Sequence, residues 1–258
     1  MSNYALITGS SKGIGMAMAK SLAKRGFDLI LVARSEDQLQ DLKKQFSETY
    51  GVKVEIFPTD LSVPGSAQKV AVWCADNSFP VSVLINNAGY GVWGNFENIA
   101  LDEQLNMMQL NMNTVVEFTH YMLPILKKQK QSYILNVAST AAYQALPTFS
   151  LYAASKAFIL SFTRGLRFEL KMTNISVTCL SPGPADTGFV ERAGLSKFNN
   201  ISAKFNMSAD TVGEFAIKGM LDKKSEIIPG FTNKISVFAT RILPKSILEY
   251  AGAYIFKK

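Results

Sequence analysis

Thr8-Gly9-Ser10-Ser11-Lys12-Gly13-Ile14-Gly15 follows a short apolar run, Tyr4 to Thr8, and leads into a segment of helical spacing, Gly13 to Arg25, closed by Gly26. Glycines let a backbone turn tightly and approach a pyrophosphate, and the first amides of a helix present partial positive charge to it. The spacing Gly-x-x-x-Gly-x-Gly is a variant of the dinucleotide fingerprint Gly-x-Gly-x-x-Gly. Set between the first strand and first helix of a βαβ unit, the loop reads as a cofactor cradle formed by Gly9, Ser11, Lys12, Gly13, Ile14 and Gly15.

Outward from this loop the same grammar repeats. Strand-like Leu29 to Ala33 and helix-like Glu36 to Thr49 precede strand-like Lys53 to Phe57, and helix-like Pro64 to Asn77 precedes strand-like Val81 to Asn86. Then come a long helical pattern from Leu101 to Lys128, strand-like Tyr133 to Val137, a helix from about Leu151 to Met172, and strand-like Ile175 to Leu180. Such alternation predicts an α/β Rossmann-type fold, a doubly wound parallel sheet in a single domain over residues 1–258.

Past Leu180 the rhythm breaks. Ser181-Pro-Gly-Pro-Ala-Asp-Thr187 opens a weakly periodic segment containing Phe189, Phe198 and Phe205. Long irregular stretches in compact domains are often functional, and a substrate lid is predicted around residues 184–207. Helix-like Ser208 to Leu221 and strand-like Glu226 to Pro229 close the sheet. The tail from Phe231 to Lys258 is apolar and basic, and Pro244 breaks it. It is open to three uses: covering the substrate pocket, packing in an oligomer, or touching a membrane surface.

The end of the second strand sets cofactor preference. An acid there accepts hydrogen bonds from the ribose hydroxyls of NAD, whereas a basic residue suits a 2′-phosphate. Here the strand ends Leu31-Val32-Ala33-Arg34, with Lys12 able to converge from the glycine loop. NADP(H) is favoured over NAD.

Tyr152 and Lys156 stand four residues apart in a stretch of helical spacing, with Ser139 thirteen residues upstream of the tyrosine. Four residues are about one helical turn, so phenol and ammonium share a face. A free phenol titrates near pH ~10, and a neighbouring positive charge lowers that value. The pair therefore reads as a proton-transfer unit, with the Ser139 hydroxyl placed to hold a carbonyl oxygen beside it.

Composition bounds the partners. Hydrophobic residues make up 48% and charged residues 18% of 258, as in an ordinary soluble globular chain. No apolar run approaches the ~18 residues that a bilayer span requires. The N-terminus enters a strand with no basic segment before an apolar core, so a cytoplasmic location is expected and no integral membrane segment. Cys74 and Cys179 lie in apolar settings and the single His120 has no companions, which argues against a disulfide framework or a metal site. Net charge is +7, but the basic residues are scattered without interleaved aromatics. That distribution favours small phosphate-bearing molecules over nucleic acid.

Together these residues resemble the short-chain dehydrogenase/reductase family, in its single-domain Tyr-x-x-x-Lys form, over nearly the whole chain. Thr8 to Gly15 is similar to the family's cofactor loop, Asn86-Asn87-Ala88-Gly89 to its Asn-Asn-Ala-Gly motif, and Pro182-Gly183 with Thr187 to the loop that grips the nicotinamide carboxamide. Asp60 is similar to the residue at the adenine. Asn111, Ser139, Tyr152 and Lys156 are similar to the catalytic asparagine, serine, tyrosine and lysine.

The resemblance implies a mechanism. Tyr152 gives a proton to a carbonyl oxygen as NADPH delivers hydride, and the reverse holds in oxidation. Lys156 lowers the tyrosine pKa and binds the nicotinamide ribose, Ser139 bonds the substrate oxygen, and Asn111 holds a water linking Lys156 to solvent. It also implies a homodimer or homotetramer, paired through the helices holding Asn111 and Tyr152.

Tyr143, Leu146, Phe149, Trp93, Phe189 and Phe205 are expected around the nicotinamide. So apolar a wall suits a hydrophobic ketone or a 3-oxoacyl compound as the small-molecule carbonyl substrate. A non-catalytic NADP(H)-sensing regulatory protein is the alternative of a different class. The intact Ser139, Tyr152 and Lys156 argue against it, because a sensor has no need of a proton donor.

Overall fold

Apolar residues fill the central strands from end to end, as strands covered on both faces require. In a computed structural model that describes residues 3–186, 189, 193–194 and 207–255, the chain runs β1 (Tyr4–Thr8), α1 (Gly13–Ala23), β2 (Asp28–Ala33), α2 (Glu36–Tyr50), β3 (Val54–Pro58), α3 (Ser66–Asp76) and β4 (Val81–Asn86). It continues with α4 (Leu101–Met108), α5 (Thr114–Lys127), β5 (Ser132–Val137), α6 (Ser150–Glu169), β6 (Ile175–Leu180), β7 (Ala185–Asp186) and β8 (Met207–Ser208). It ends with α7 (Ala209–Leu221), β9 (Glu226–Ile227), α8 (Phe231–Ile242) and α9 (Lys245–Ile255).

The main sheet is parallel throughout, in the order β3-β2-β1-β4-β5-β6-β9. The chain winds from β1 outward to β3, then returns to β4 on the other side of β1. That reversal leaves a crevice at the C-terminal ends of β1 and β4, where ligands bind in open α/β sheets. Alternate strand residues feed two cores. Leu6, Val32 and Leu84 pack with α3, α5 and α6, while Ile7, Leu31 and Ile85 pack with α1, α2 and α7.

The helical pattern expected to run unbroken from Leu101 to Lys128 is divided. A π-helical turn, Gln109–Asn113, separates α4 from α5. Its cause is at Asn111, whose side chain is drawn towards the segment after β4: it accepts from the Tyr90 backbone amide at 3.1 Å and donates to the Tyr90 carbonyl at 2.9 Å. Such single-turn π-bulges recur at functional sites. Pro244 divides the tail into α8 and α9 as its sequence foretold. Of the expected lid, the two ends are described: Ala185 pairs with Met207 and Asp186 with Ser208. No helix among the described residues is long and apolar enough to cross a membrane.

Candidate active site

The glycine loop is pinned from two sides. Gly9 and Ser10 donate their amides to the Val32 carbonyl at 2.8 and 3.4 Å. From the β4 side, Asn87 Nδ2 donates to the Thr8 and Gly9 carbonyls at 2.9 and 3.1 Å, and Thr8 Oγ1 accepts the Asn87 and Ala88 amides. The crowding explains the glycines: a Cβ on Gly15 would sit 2.2 Å from the Gly9 oxygen. α1 begins with neither a side-chain cap nor an acid in its first turn, so its leading amides are left for an anion.

A cavity of about 540 Å³ runs from this loop along the strand ends to α8. Its wall includes every residue predicted for the cofactor from Gly9 to Gly183, namely the glycine loop, Arg34, Asp60, Asn87 to Gly89, Tyr152, Lys156 and Pro182-Gly183. Thr187 lies outside the described residues. The Arg34 guanidinium stands 3.8 Å from the Asp60 carboxylate, both groups substantially exposed, and Ser62 fixes Asp60 through its amide and hydroxyl. Ser35 and Gln38 join them in the wall. Sequence reasoning passed over that pair, although Ser35 directly follows Arg34 at the entry to α2.

Ser139, Tyr152 and Lys156 converge deeper in the cavity. Ser139 caps a short 3₁₀ turn, its Oγ accepting the Ala141 amide at 3.1 Å and lying 3.5 Å from the Pro182 carbonyl. Tyr152 stacks on Phe149 with ring centres 4.3 Å apart. One turn on, Lys156 donates to the Val137 carbonyl at 2.9 Å.

Burial dominates the electrostatics of this trio. It pushes the Tyr152 phenol up to about 12, against the opposing pull of a hydrogen bond with Ser139. It also pushes the Lys156 ammonium down to about 8, against the electrostatic pull of nearby Cys179. Burial, which disfavours the phenolate, sets the direction for the tyrosine, opposed by the Ser139 hydrogen bond. The phenol holds its proton at neutral pH and can give it away.

Asn111 stands one layer behind the cavity wall, almost fully buried. Gly89 separates it from the space: a Cβ there would meet Asn111 Oδ1 at 2.8 Å and Lys156 Nζ at 3.4 Å. Both Nδ2 protons are engaged, by the Tyr90 carbonyl and by Ser155 Oγ at 3.1 Å. Beneath the site a ladder of side chains, Thr119–Asn86–Asn136–Thr163, ties α5, β4, β5 and α6 together. Asn86 and Asn136 are register partners in the sheet, which no reading of one strand at a time reveals.

The substrate end differs from expectation. Leu146, Phe149 and Phe189 line it, but Tyr143 turns away, its hydroxyl bonded to the Glu226 carboxylate and lying 3.0 Å from Ser181 Oγ. Arg164, 3.0 Å from Glu226, completes that anchor. Trp93 packs against the core instead of the cavity, and Phe205 lies outside the described residues. The wall gains Leu110, Gln144, Ser236, Val237 and Thr240, so it is more polar than predicted. Three of these come from α8, where the spacing 236, 237, 240 marks one helix face.

Residues 3–197 match the family model described as short chain dehydrogenase. The chain is 32% identical over 256 residues to hydroxysteroid dehydrogenase-like protein 1 of Gallus gallus, covering 97% of this chain and 75% of that protein. It is 28% identical over 241 residues to the ketoacyl reductase HetN of Nostoc sp., covering 92% and 82% respectively. Among solved structures, a short-chain dehydrogenase from Sphingobium yanoikuyae in complex with NADPH superposes with a TM-score of 0.83 at 28% identity, over 93% of each chain.

Proposed function

The chain belongs to the short-chain dehydrogenase/reductase family, oxidoreductases acting on alcohol and carbonyl groups, and from that premise we propose that it is an NADPH-dependent reductase of a hydrophobic ketone or a 3-oxoacyl compound. The observation that carries this reading is the convergence of Ser139, Tyr152 and Lys156 on one cavity whose far end is the glycine cradle and Arg34. The cradle fits a dinucleotide: side chains are excluded where the backbone must approach, and the free amides of α1 face the same space. Arg34 and Lys12 supply the charge that a 2′-phosphate needs, and Ser35 and Gln38 supply further donors. The similar Sphingobium structure contains NADPH.

When bound, the nicotinamide supplies the hydride. Ser139 holds the carbonyl oxygen of the substrate, and Tyr152 protonates that oxygen as negative charge develops on it. Lys156, fastened to Val137, holds its charge next to the phenol and the ribose position. Asn111, behind Gly89, is the residue to hold a water that returns protons to Lys156.

Leu146, Phe149 and Phe189 favour an apolar substrate, while Gln144, Ser236 and Thr240 provide the few polar contacts that fix its orientation. The likeness to a ketoacyl reductase supports an acyl chain bearing a 3-oxo group. The segment 184–207 serves as the lid, with Phe189 lying 5.4 Å from the Tyr152 ring. Exposed apolar residues on α4 to α6, Leu105, Val116 and Phe158 among them, suit the pairing of two copies into a dimer or tetramer. Cys74 and Cys179, buried and unpaired, suit the reducing cytoplasm.

An absorbance assay of NADPH consumption against apolar ketones and 3-oxoacyl thioesters tests the reading. Turnover of some apolar carbonyl, with NADPH preferred to NADH, is expected. Tight NADPH binding without turnover across the panel would instead favour a nucleotide sensor.

A further inference from the structure

α8 has two unlike faces. On the inner one Ser236, Val237 and Thr240 complete the cavity wall, and Asn233 comes so near the cofactor loop that a Cβ on Gly183 would meet its amide oxygen at 2.3 Å. α9 continues onto the neighbouring loop, where a Cβ on Gly252 would sit 3.5 Å from Leu146 Cδ2. On the outer face Phe231, Ile235, Phe238 and Ile242 recur at the spacing of a single helical stripe, each more than half exposed. α9 carries Ile247, Tyr250 and Tyr254, all exposed and likewise at one-face spacing. Exposed apolar stripes of this kind mark an interaction site.

Charge identifies what covers it. Between residues 231 and 255 stand Lys234, Arg241 and Lys245 against one acid, Glu249. A second copy docked here about a two-fold axis would set this basic arm against itself. An anionic surface would take all the cations at once. Amphipathic helices of this make-up lie in the headgroup region of a bilayer, held by their apolar face and by attraction to anionic lipid, and tyrosine is a residue that settles at that interface.

We propose that α8 and α9 seat the protein on an anionic lipid bilayer surface, with the apolar stripe buried at the headgroup boundary. Because the inner face of α8 is cavity wall, the same contact holds the substrate end of the cavity at the lipid. The delivery of a lipid-soluble carbonyl from that surface rests on the carbonyl-reductase reading; the docking does not.

Co-sedimentation of the full chain with phosphatidylcholine vesicles, with and without phosphatidylglycerol, tests the docking. Most of the protein is expected to pellet with the phosphatidylglycerol vesicles, and several-fold less with phosphatidylcholine alone or at raised salt. The double variant Ile235→Glu/Phe238→Glu is expected to stay in the supernatant while retaining NADPH binding and its mass by light scattering. Wild-type protein left in the supernatant with anionic vesicles overturns the proposal, as does a variant that pellets like wild type. A variant of reduced mass also overturns it, by giving the face to a second copy. Should the variant misfold, amide exchange over residues 231–255 of the wild type decides: anionic vesicles must slow it, and unchanged exchange overturns the proposal. A chain that pellets but turns over no carbonyl keeps the docking and loses the reductase reading.

Discussion

The Lys156 ammonium lies 5.8 Å from the centre of the Tyr152 ring, one turn further along α6, and is fastened to the Val137 carbonyl at 2.9 Å. The end of β5 thus fixes the cation, and α6 fixes its distance from the phenol. Both groups are buried, and burial moves them in opposite senses, up for the phenol and down for the ammonium. At neutral pH the phenol keeps its proton, and the lysine is the member of the pair whose charge lies nearest to change.

Replacing Tyr152 by phenylalanine removes that proton and little else, because the ring still stacks on Phe149. General acids contribute about 10²- to 10⁴-fold. Tyr152→Phe should lower kcat by that range while fluorescence titration gives NADPH affinity within a few-fold of wild type. Near-wild-type turnover would remove Tyr152 from the proton-donor role.

The value of about 8 for Lys156 predicts a pH dependence. For carbonyl reduction, kcat/KM should fall above about pH 8 as the charge beside Tyr152 is lost, and Lys156→Arg should abolish that limb at a lower plateau. The sign for stability is opposite. The folded-state pKa lies below the unfolded value of 10.5, so between about 8 and 10.5 the unfolded chain holds the extra proton. The contribution of this group to the stability of the cofactor-free protein therefore increases with pH across that window and is constant below it. Urea midpoints of wild type and Lys156→Met, compared at about pH 7 (below that window) and about pH 9.5 (inside it), check this: only wild type should gain.

Much of this site was legible because its parts are local. The glycine loop, the Tyr152 and Lys156 spacing and Arg34 at the end of β2 each declare themselves within a few residues, and the parallel sheet follows from alternating patterns. What stayed hidden depends on contacts distant in sequence. Tyr143 looked like pocket wall because it is aromatic and near Ser139, yet Glu226, reached only through β9, draws it away. Asn111 broke an apparently continuous helix because its amide bonds with Tyr90, a partner invisible to helical periodicity. The tail's covering of the pocket was one of three uses its composition left open, and which residues of α8 face the cavity depends on how the tail folds back over the strand ends.

Glu214 on α7 reaches α1 at the edge of their buried contact, pairing with Arg25 and accepting from Ser21 at 2.8 Å. These partners hold its carboxyl well below the usual range, at about 2. About half of the Glu214 side chain is exposed, so solvent screens the pair and Glu214→Gln should cost only about 1 kcal/mol at pH 7. Because the folded-state pKa is depressed, that stability is present above pH 4.5 and disappears as pH falls towards 2. Urea unfolding at pH 7 and pH 3 should therefore give a smaller difference between wild type and variant at the acid end.

Arg34 should decide between the two dinucleotides. It follows β2 directly, faces the cavity, and sits 3.8 Å from Asp60, which lies at the end of the neighbouring strand and is itself held by Ser62. Hydrogen bonds to charged groups are worth about 1.5–3 kcal/mol, so loss of the guanidinium should raise KM for NADPH about 10- to 100-fold. NADH has no phosphate at that place, and its KM should stay within a few-fold. Arg34→Asp should go further, repelling a 2′-phosphate while offering a carboxylate to the ribose hydroxyls of NADH. Steady-state kinetics with both cofactors against one apolar ketone separates the outcomes. A parallel loss with NADPH and NADH would mean that Arg34 supports the loop without reading the phosphate, and cofactor choice would then rest with Lys12.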